Sequence, residues 1–353
     1  MKKVILIIAL IVLSLSVMYF VFFSTIGIVF NGDDEVLTSF STKYRTIAAV
    51  TDKGNVYVKG EISSNFNYGI DYVRQYNHRL VDKYARIYDK NDAVSVMISG
   101  SGGCIITNKS EVYIFLNDSK EYRVPTYFCS GYVKAYSSGE NIYLLSDDGT
   151  FGFINIHSPD VFNNIGSKVV NFEIEQSYSN GEYDYNAIFA LTENNRLYVL
   201  EQGEKLADNN RYIDGIIAFD TVASVSDLTK DKCLRKYIEI SLLDENHQAY
   251  WYEGYLDEDY QKIADINNYI VTGSDIDQVT SYFRGVAMLD KAGNVSLYGY
   301  DLISEVVLSG EIYFEGVENV FSGDDILIIV YKNGDVEYYG FDSWKDERKF
   351  IKS

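Results

Sequence analysis

The chain is poor in the residues that most often carry chemistry or covalent cross-links. Among 353 residues there are three histidines (His78, His157, His247) and three cysteines (Cys104, Cys129, Cys233). No His-x-His or His-x-x-x-His pair occurs, which removes the usual local spacing for a zinc or copper site. No Gly-x-Ser-x-Gly nucleophile elbow occurs either. The cysteines lie far apart without a Cys-x-x-Cys pair, so they form neither a zinc knuckle nor a disulfide framework. They read as small buried apolar side chains, with a Cys104–Cys129 bridge between neighbouring repeats as the alternative. Proline occurs twice, and no low-complexity linker divides the chain. Basic residues are in deficit: 31 Lys and Arg against 51 Asp and Glu give a net charge of -20. Such a surface repels phosphate backbones, which excludes a broad nucleic-acid interface. No catalytic residues, metal site or cofactor is expected.

Aromatic residues, by contrast, are abundant: 32 Tyr and 19 Phe. Together with the many Val and Ile they suit pleated, half-buried surfaces and point to β structure. One long apolar run is also present. After Lys2 and Lys3, residues 4–30 contain no charge, enough for a helix of roughly 40 Å across a hydrocarbon core of about 30 Å. This exceeds the apolar core of a cleavable signal peptide. Residues 1–30 therefore read as an uncleaved transmembrane anchor and 31–353 as one ectodomain. The basic pair before the span, with Asp33, Asp34 and Glu35 after it, predicts a single pass with a cytoplasmic N-terminus.

The ectodomain repeats itself. Val50-Thr51-Asp52-Lys53-Gly54-Asn55-Val56-Tyr57-Val58 is echoed by Leu289 to Leu297 and by Val330 to Tyr338. Aligned on the turn residue, seven copies appear, at Gly54, Ser110, Gly149, Asn195, His247, Gly293 and Gly334. Their separations run from 39 residues (Ser110 to Gly149) to 56 (Gly54 to Ser110), the range of propeller blades. Glycine and asparagine fit a tight hairpin needing positive φ; Ser110 and His247 fit poorly and suggest altered turns. Four residues before the turn stand Val50, Ile106, Leu145, Leu191, Leu243, Leu289 and Val330. Two after it stand Val56, Val112, Phe151, Leu197, Ala249, Val295 and Val336. Four after it stand Val58, Ile114, Phe153, Val199, Trp251, Leu297 and Tyr338. Three apolar columns with polar residues between them are period-two strands with one buried face. A further strand opens upstream with Val94, Val133, Val169, Val222, Val279 or Val317.

The seventh copy, Val317-Glu318-Asn319-Val320-Phe321-Ser322-Gly323, Ile328-Ile329-Val330, then Gly334-Asp335-Val336-Glu337-Tyr338-Tyr339-Gly340, resembles the repeat of the regulator-of-chromosome-condensation-like (RCC1-like) β-propellers. The resemblance covers about residues 36–342 and is that of a divergent bacterial-type member. It implies an all-β, seven-bladed β-propeller preceded by the transmembrane helix. The family's histidine after Ser-Gly is replaced by Asp325-Ile326, and its Gly-Gln-Leu-Gly segment is missing. No partner-binding residue therefore carries over.

Paired acids such as Asp147-Asp148 lie in turns, where aspartate accepts backbone hydrogen bonds. Asp257-Glu258-Asp259 lacks the spacing of a calcium loop. Two insertions remain, Glu173 to Asn186 and Ser226 to Lys236, at the same turn of consecutive blades, so they should project side by side from one face. The first is rich in Tyr, Ser, Asn and Gly, the composition of adaptable recognition loops; the second carries a basic strip. Candidate binding residues are Tyr178, Tyr183, Asp184, Tyr185, Lys230 and Lys232. The expected function is a protein–protein interaction module at the cell envelope, bound to an unidentified surface protein. Secreted bacterial propellers that inhibit β-lactamases are the nearest analogy within the resemblance. The alternative is a propeller enzyme or sensor acting on cell-wall glycan or a small ligand.

Overall fold

The seven aligned turns are one and the same turn. In the computed structural model, φ is positive at Gly54, Ser110, Gly149, Asn195, His247, Gly293 and Gly334. Each of their N–H groups donates to the carbonyl three residues earlier, as Gly54 to Thr51 (2.9 Å) and Gly334 to Tyr331 (2.9 Å). Ser110 and His247 depart from expectation here: they occupy the ordinary turn, at φ 58° and 59°. A left-handed conformation costs such residues about 1–2 kcal/mol, and local bonds offset it. The Ser110 carbonyl accepts from Gly131 (2.8 Å) and Tyr132 (3.3 Å). His247 accepts the Ile276 N–H (3.1 Å) and donates its Nδ1–H to the Ile276 carbonyl (2.8 Å). Asp148, as expected of a turn acid, accepts from Ser146 Oγ and from the Thr150 N–H (2.9 Å).

Residues 35–43, 46–60, 85–99, 102–116, 125–179, 182–228, 234–255, 260–282, 284–300, 307–323 and 326–340 are described by the structure. They form seven antiparallel sheets, each of strands consecutive in sequence. The first blade is Leu37–Lys43, Thr46–Thr51, Val56–Gly60 and Ala85–Tyr88; the second Ala93–Ser99, Gly102–Thr107, Glu111–Leu116 and Thr126–Ser130. The third is Tyr132–Ser138, Asn141–Ser146, Phe151–Asn155 and Ser158–Gly166; the fourth Val169–Ser179, Glu182–Thr192, Arg196–Glu201 and Tyr212–Asp214. The fifth is Ile216–Leu228, Leu234–Asp244, Ala249–Tyr255 and Ile270–Gly273; the sixth Ile276–Tyr282, Gly285–Asp290, Val295–Tyr300 and Val307–Phe314. The seventh has, among the described residues, Val317–Ser322, Ile326–Tyr331 and Val336–Gly340. First strands of consecutive blades lie beside one another, and that of the seventh lies beside that of the first. The result is a seven-bladed β-propeller with the first strands round its axis.

Because each sheet runs up and down, the seven aligned turns share one face of the ring with the blade-to-blade corners. The connections from first to second strand share the other. Residues 1–34 lie outside the described residues, and with them the anchor segment; among the described residues no helix is long and apolar enough to cross a membrane.

Side chains of the three apolar columns fill the gaps between blades. The column two residues after the turn is 0% exposed from Val56 through Val295 and 9% at Val336. Among the described residues seven apolar clusters occur, one per gap, from Val50, Val56, Val96 and Ile105 between the first two blades to Phe40, Ile47, Ile328 and Tyr338 at the closure. Cys104 and Cys129 are free thiols on the second and fourth strands of the second blade, the latter opposite Val112. Two strand spacings separate them by roughly 10 Å, beyond the reach of a disulfide. Burial pushes the Cys129 thiol up to about 12 and the Cys104 thiol further, so both serve as core.

The closure is tight at one point. A Cβ at Gly323 would fall on the Thr42 side chain, whose hydroxyl donates to the Ser322 carbonyl (3.0 Å). Gly323→Ala is expected to cost about 1–3 kcal/mol through overpacking, read as a lowered thermal unfolding midpoint. An unchanged midpoint would mean that the seventh and first blades are not held there.

Candidate functional site

In the fourth and fifth blades the connection from first to second strand is drawn out. The first strands of these blades run 11 and 13 residues, against 7 in the first, second, third and sixth. The two insertions, read as loops from sequence, are continued β-pairing instead. In the fourth blade the register runs Ser177↔Tyr185, Tyr178↔Tyr183 and Ser179↔Glu182, with Asp184 the extra residue at a slip. In the fifth it reaches Val225↔Lys236 and Leu228↔Leu234. Two paired hairpins extend the strands, where Tyr178, Tyr183, Tyr185, Val225 and Tyr237 supply residues of high strand propensity. Lys230 and Lys232 lie outside the described residues. Since the two first strands are neighbours, both hairpins rise from one face, beside the axis and opposite the aligned turns.

At their base is a feature that the sequence pattern did not disclose. The sixth position of the first strand carries a hydroxyl in five blades: Thr42, Ser137, Thr221, Ser281 and Ser322. With neighbouring polar residues they make an unbroken belt across all seven gaps. The Ile98 N–H donates to Ser41 (2.9 Å), Ser99 pairs with Ser137 (2.7 Å), and Lys134 with Glu173 (2.7 Å). Thr221 donates to Glu175 (3.0 Å), Thr280 to Asp220 (2.5 Å), Thr280 pairs with Ser322 (2.6 Å), and Thr42 closes the circle on the Ser322 carbonyl. Lys43 reaches from the first blade to Glu175 of the fourth (3.4 Å). A recurring Ser or Thr at one strand position was the signal available for finding it.

Three blades converge on Asp220. Its carboxylate accepts from Thr280, from the Ser281 N–H (2.9 Å) and from Ser322 Oγ (3.0 Å). The residue keeps some accessible surface towards the axis, while the carboxylate itself is surrounded by protein. Burial first, then the Glu173 charge, pushes it up to about 6, against the three hydrogen bonds. Chemically the belt locks strands together. No histidine stands in it, and among the described residues no three His, Cys, Asp or Glu side chains are placed to hold a metal ion.

A carboxyl raised in the folded state binds its proton there before it does so unfolded. Its contribution to stability is therefore greatest at or below about pH 4 and declines as pH rises through about 6. Asp220→Asn should remove this decline, at most about 3 kcal/mol by the size of the shift. Urea unfolding at pH 4, 5, 6 and 7 compares the two proteins; parallel curves would show that Asp220 does not titrate in this window.

No protein-family model matches the sequence, and no curated protein does. Solved structures do match. Prp20p from Saccharomyces cerevisiae, described with its binding properties to Gsp1p and histones, superposes with a TM-score of 0.53 at 13% identity, covering 89% of this chain and 84% of that one. A complex of Kap60 with yeast RCC1 (Prp20) matches at 0.41 and 12%, covering 86% and 70%. BBS1N in complex with ARL6DN gives 0.50 at 10%, covering 89% and 97%. Identities this low establish likeness of fold alone, and that fold is the RCC1-type seven-bladed propeller expected from the repeat.

Proposed function

We propose that the chain is a membrane-anchored, extracytoplasmic propeller that acts by binding another protein at the cell envelope rather than by turnover. The observation that carries this reading is the pair of extended hairpins on adjacent blades. The strands run on past the length shared by the other blades, and the added pairing of the fourth blade carries a tyrosine-rich sequence. Tyrosine provides large contact area at low conformational cost. Propellers of like fold are described with protein partners, Prp20p with Gsp1p and histones and BBS1N with ARL6DN. Tethering rests on the uncharged segment 4–30 and the charge asymmetry around it. The net charge of -20 argues for partners that are not nucleic acids.

Two measurements test the reading. Replacing Tyr178, Tyr183 and Tyr185 together by Ala should abolish cross-linked capture of envelope proteins while leaving thermal unfolding unchanged. Undiminished capture would remove the hairpins from the interface. Deleting residues 1–30 should release the propeller from the membrane fraction, and protease added to intact cells should degrade the full-length ectodomain; a protected ectodomain would place it inside.

A further inference from the structure

The face opposite the hairpins carries its own pattern. In every blade the pairing of first and second strand slips by one residue at the second position of the first strand. The extra residue of such a bulge stays outside the ladder. It is Thr38, Val94, Val133, Val170, Ile217, Asp277 or Glu318, and all seven are exposed. The aliphatic ones keep 51%, 45%, 51% and 36% of their surface, in blade order. Val94 and Val133, read from sequence as opening their strands, are the second residues of strands that begin at Ala93 and Tyr132, and Val222 and Val279 stand deeper in strands that begin at Ile216 and Ile276.

Single exposed valines need no explanation, and β-branched residues suit strands. Neither accounts for this arrangement. Thr38, Asp277 and Glu318 show that the backbone there accepts polar residues, yet four consecutive blades carry valine or isoleucine. Their first strands are neighbours round the axis, so Val94, Val133, Val170 and Ile217 form an arc, with exposed Val36 beside the first blade. Of the other three bulge positions, two are acidic and adjacent, in the sixth and seventh blades. Asp277 and Glu318 occupy the same bulge position, backed by exposed Asp275 and Glu315 at the corners. The nearby Lys332 ammonium is engaged by the Ala292 carbonyl (3.1 Å).

We infer that this arc and its acidic sector form a second docking surface, for an amphipathic segment of a partner protein with an apolar stripe and lysine or arginine at one flank. The charge distribution selects that occupant. An apolar stripe covers the valines, and only a cationic flank meets Asp277 and Glu318 without repulsion, since opposite potentials favour encounter and like charges oppose it. An anionic lipid surface would meet the same acids unfavourably. The surface is independent of the hairpins, so its failure leaves the reading above intact, and the converse.

The test uses the full chain and two synthetic amphipathic helices, one of leucine and lysine and one of leucine and glutamate. The lysine helix should bind saturably at one per chain, and Val133→Ser with Val170→Ser should weaken it about tenfold or more, as loss of a central apolar contact does. Asp277→Asn with Glu318→Gln should weaken it less and flatten its salt dependence. The Tyr178, Tyr183 and Tyr185 replacements should leave it unchanged. All substituted positions are exposed, and an unchanged unfolding midpoint verifies folding. Equal binding of the glutamate helix, or undiminished binding by the double serine variant, overturns the inference. So does sedimentation showing a dimer lost in that variant, which assigns the face to a second copy. Binding to phosphatidylcholine vesicles that the same variant abolishes assigns it to lipid and overturns it equally.

Discussion

Each blade of this protein is apolar on both faces of its sheet, and no blade can bury both faces unless a neighbour stands on either side. That requirement governs the rest. An isolated sheet would expose the columns led by Val56 and Val295, at about 25 cal/mol for every square ångström left in water. A row of sheets would still expose its two ends. Only a closed ring covers every face, and the seven apolar clusters, one in each gap, are that condition met. The gap between the seventh and first blades has no continuous chain across it, so its cohesion rests on Phe40, Ile328, Tyr338 and the Thr42–Ser322 bond.

Apolar packing alone does not set the blades at one height. Two sets of directional bonds do that, one at each end of the gap. On the turn face the carbonyl of the left-handed residue accepts the first N–H of the next blade, as Gly54 from Ala93 (3.0 Å) and Gly293 from Val317 (2.9 Å). Nearer the axis the hydroxyl belt crosses every gap. A hydrogen bond contributes only about 1 kcal/mol net, but leaving these groups unpaired at the axis would cost more. The belt also explains why Glu173 and Glu175 belong to the frame although they begin a stretch read as recognition sequence. Their carboxylates are committed to Lys134, Lys43 and Thr221.

The legible part of this protein was the part that repeats. The three columns came from the sequence unaided, because period-two alternation leaves the same mark in every blade: 19 of the 21 members are buried, and Val330 and Phe153 are half-buried. The turns were legible at glycine and asparagine and misread at Ser110 and His247, whose bonds to the next blade offset an unfavourable φ that composition alone would not suggest. Val94 and Val133, read as the first residues of their strands, are the bulged second residues. A one-residue slip reverses which neighbour points inward, and no local signal marks it. The extended hairpins were placed on the right turn but taken for loops, since their alternation is weaker than that of the buried strands.

The amino-acid sequence by itself determined the kind of fold and the number of blades, because apolar columns at a blade-length interval are a local, additive record of which side of each strand meets its neighbour. Only the tertiary structure decided what the shared positions do. The convergence of Thr280, Ser281 and Ser322 on Asp220, and the arc of Val94, Val133, Val170 and Ile217, each join residues dozens to a hundred positions apart. Such groupings exist only once the ring closes, because closure, not spacing along the chain, is what brings equivalent positions of different blades into contact.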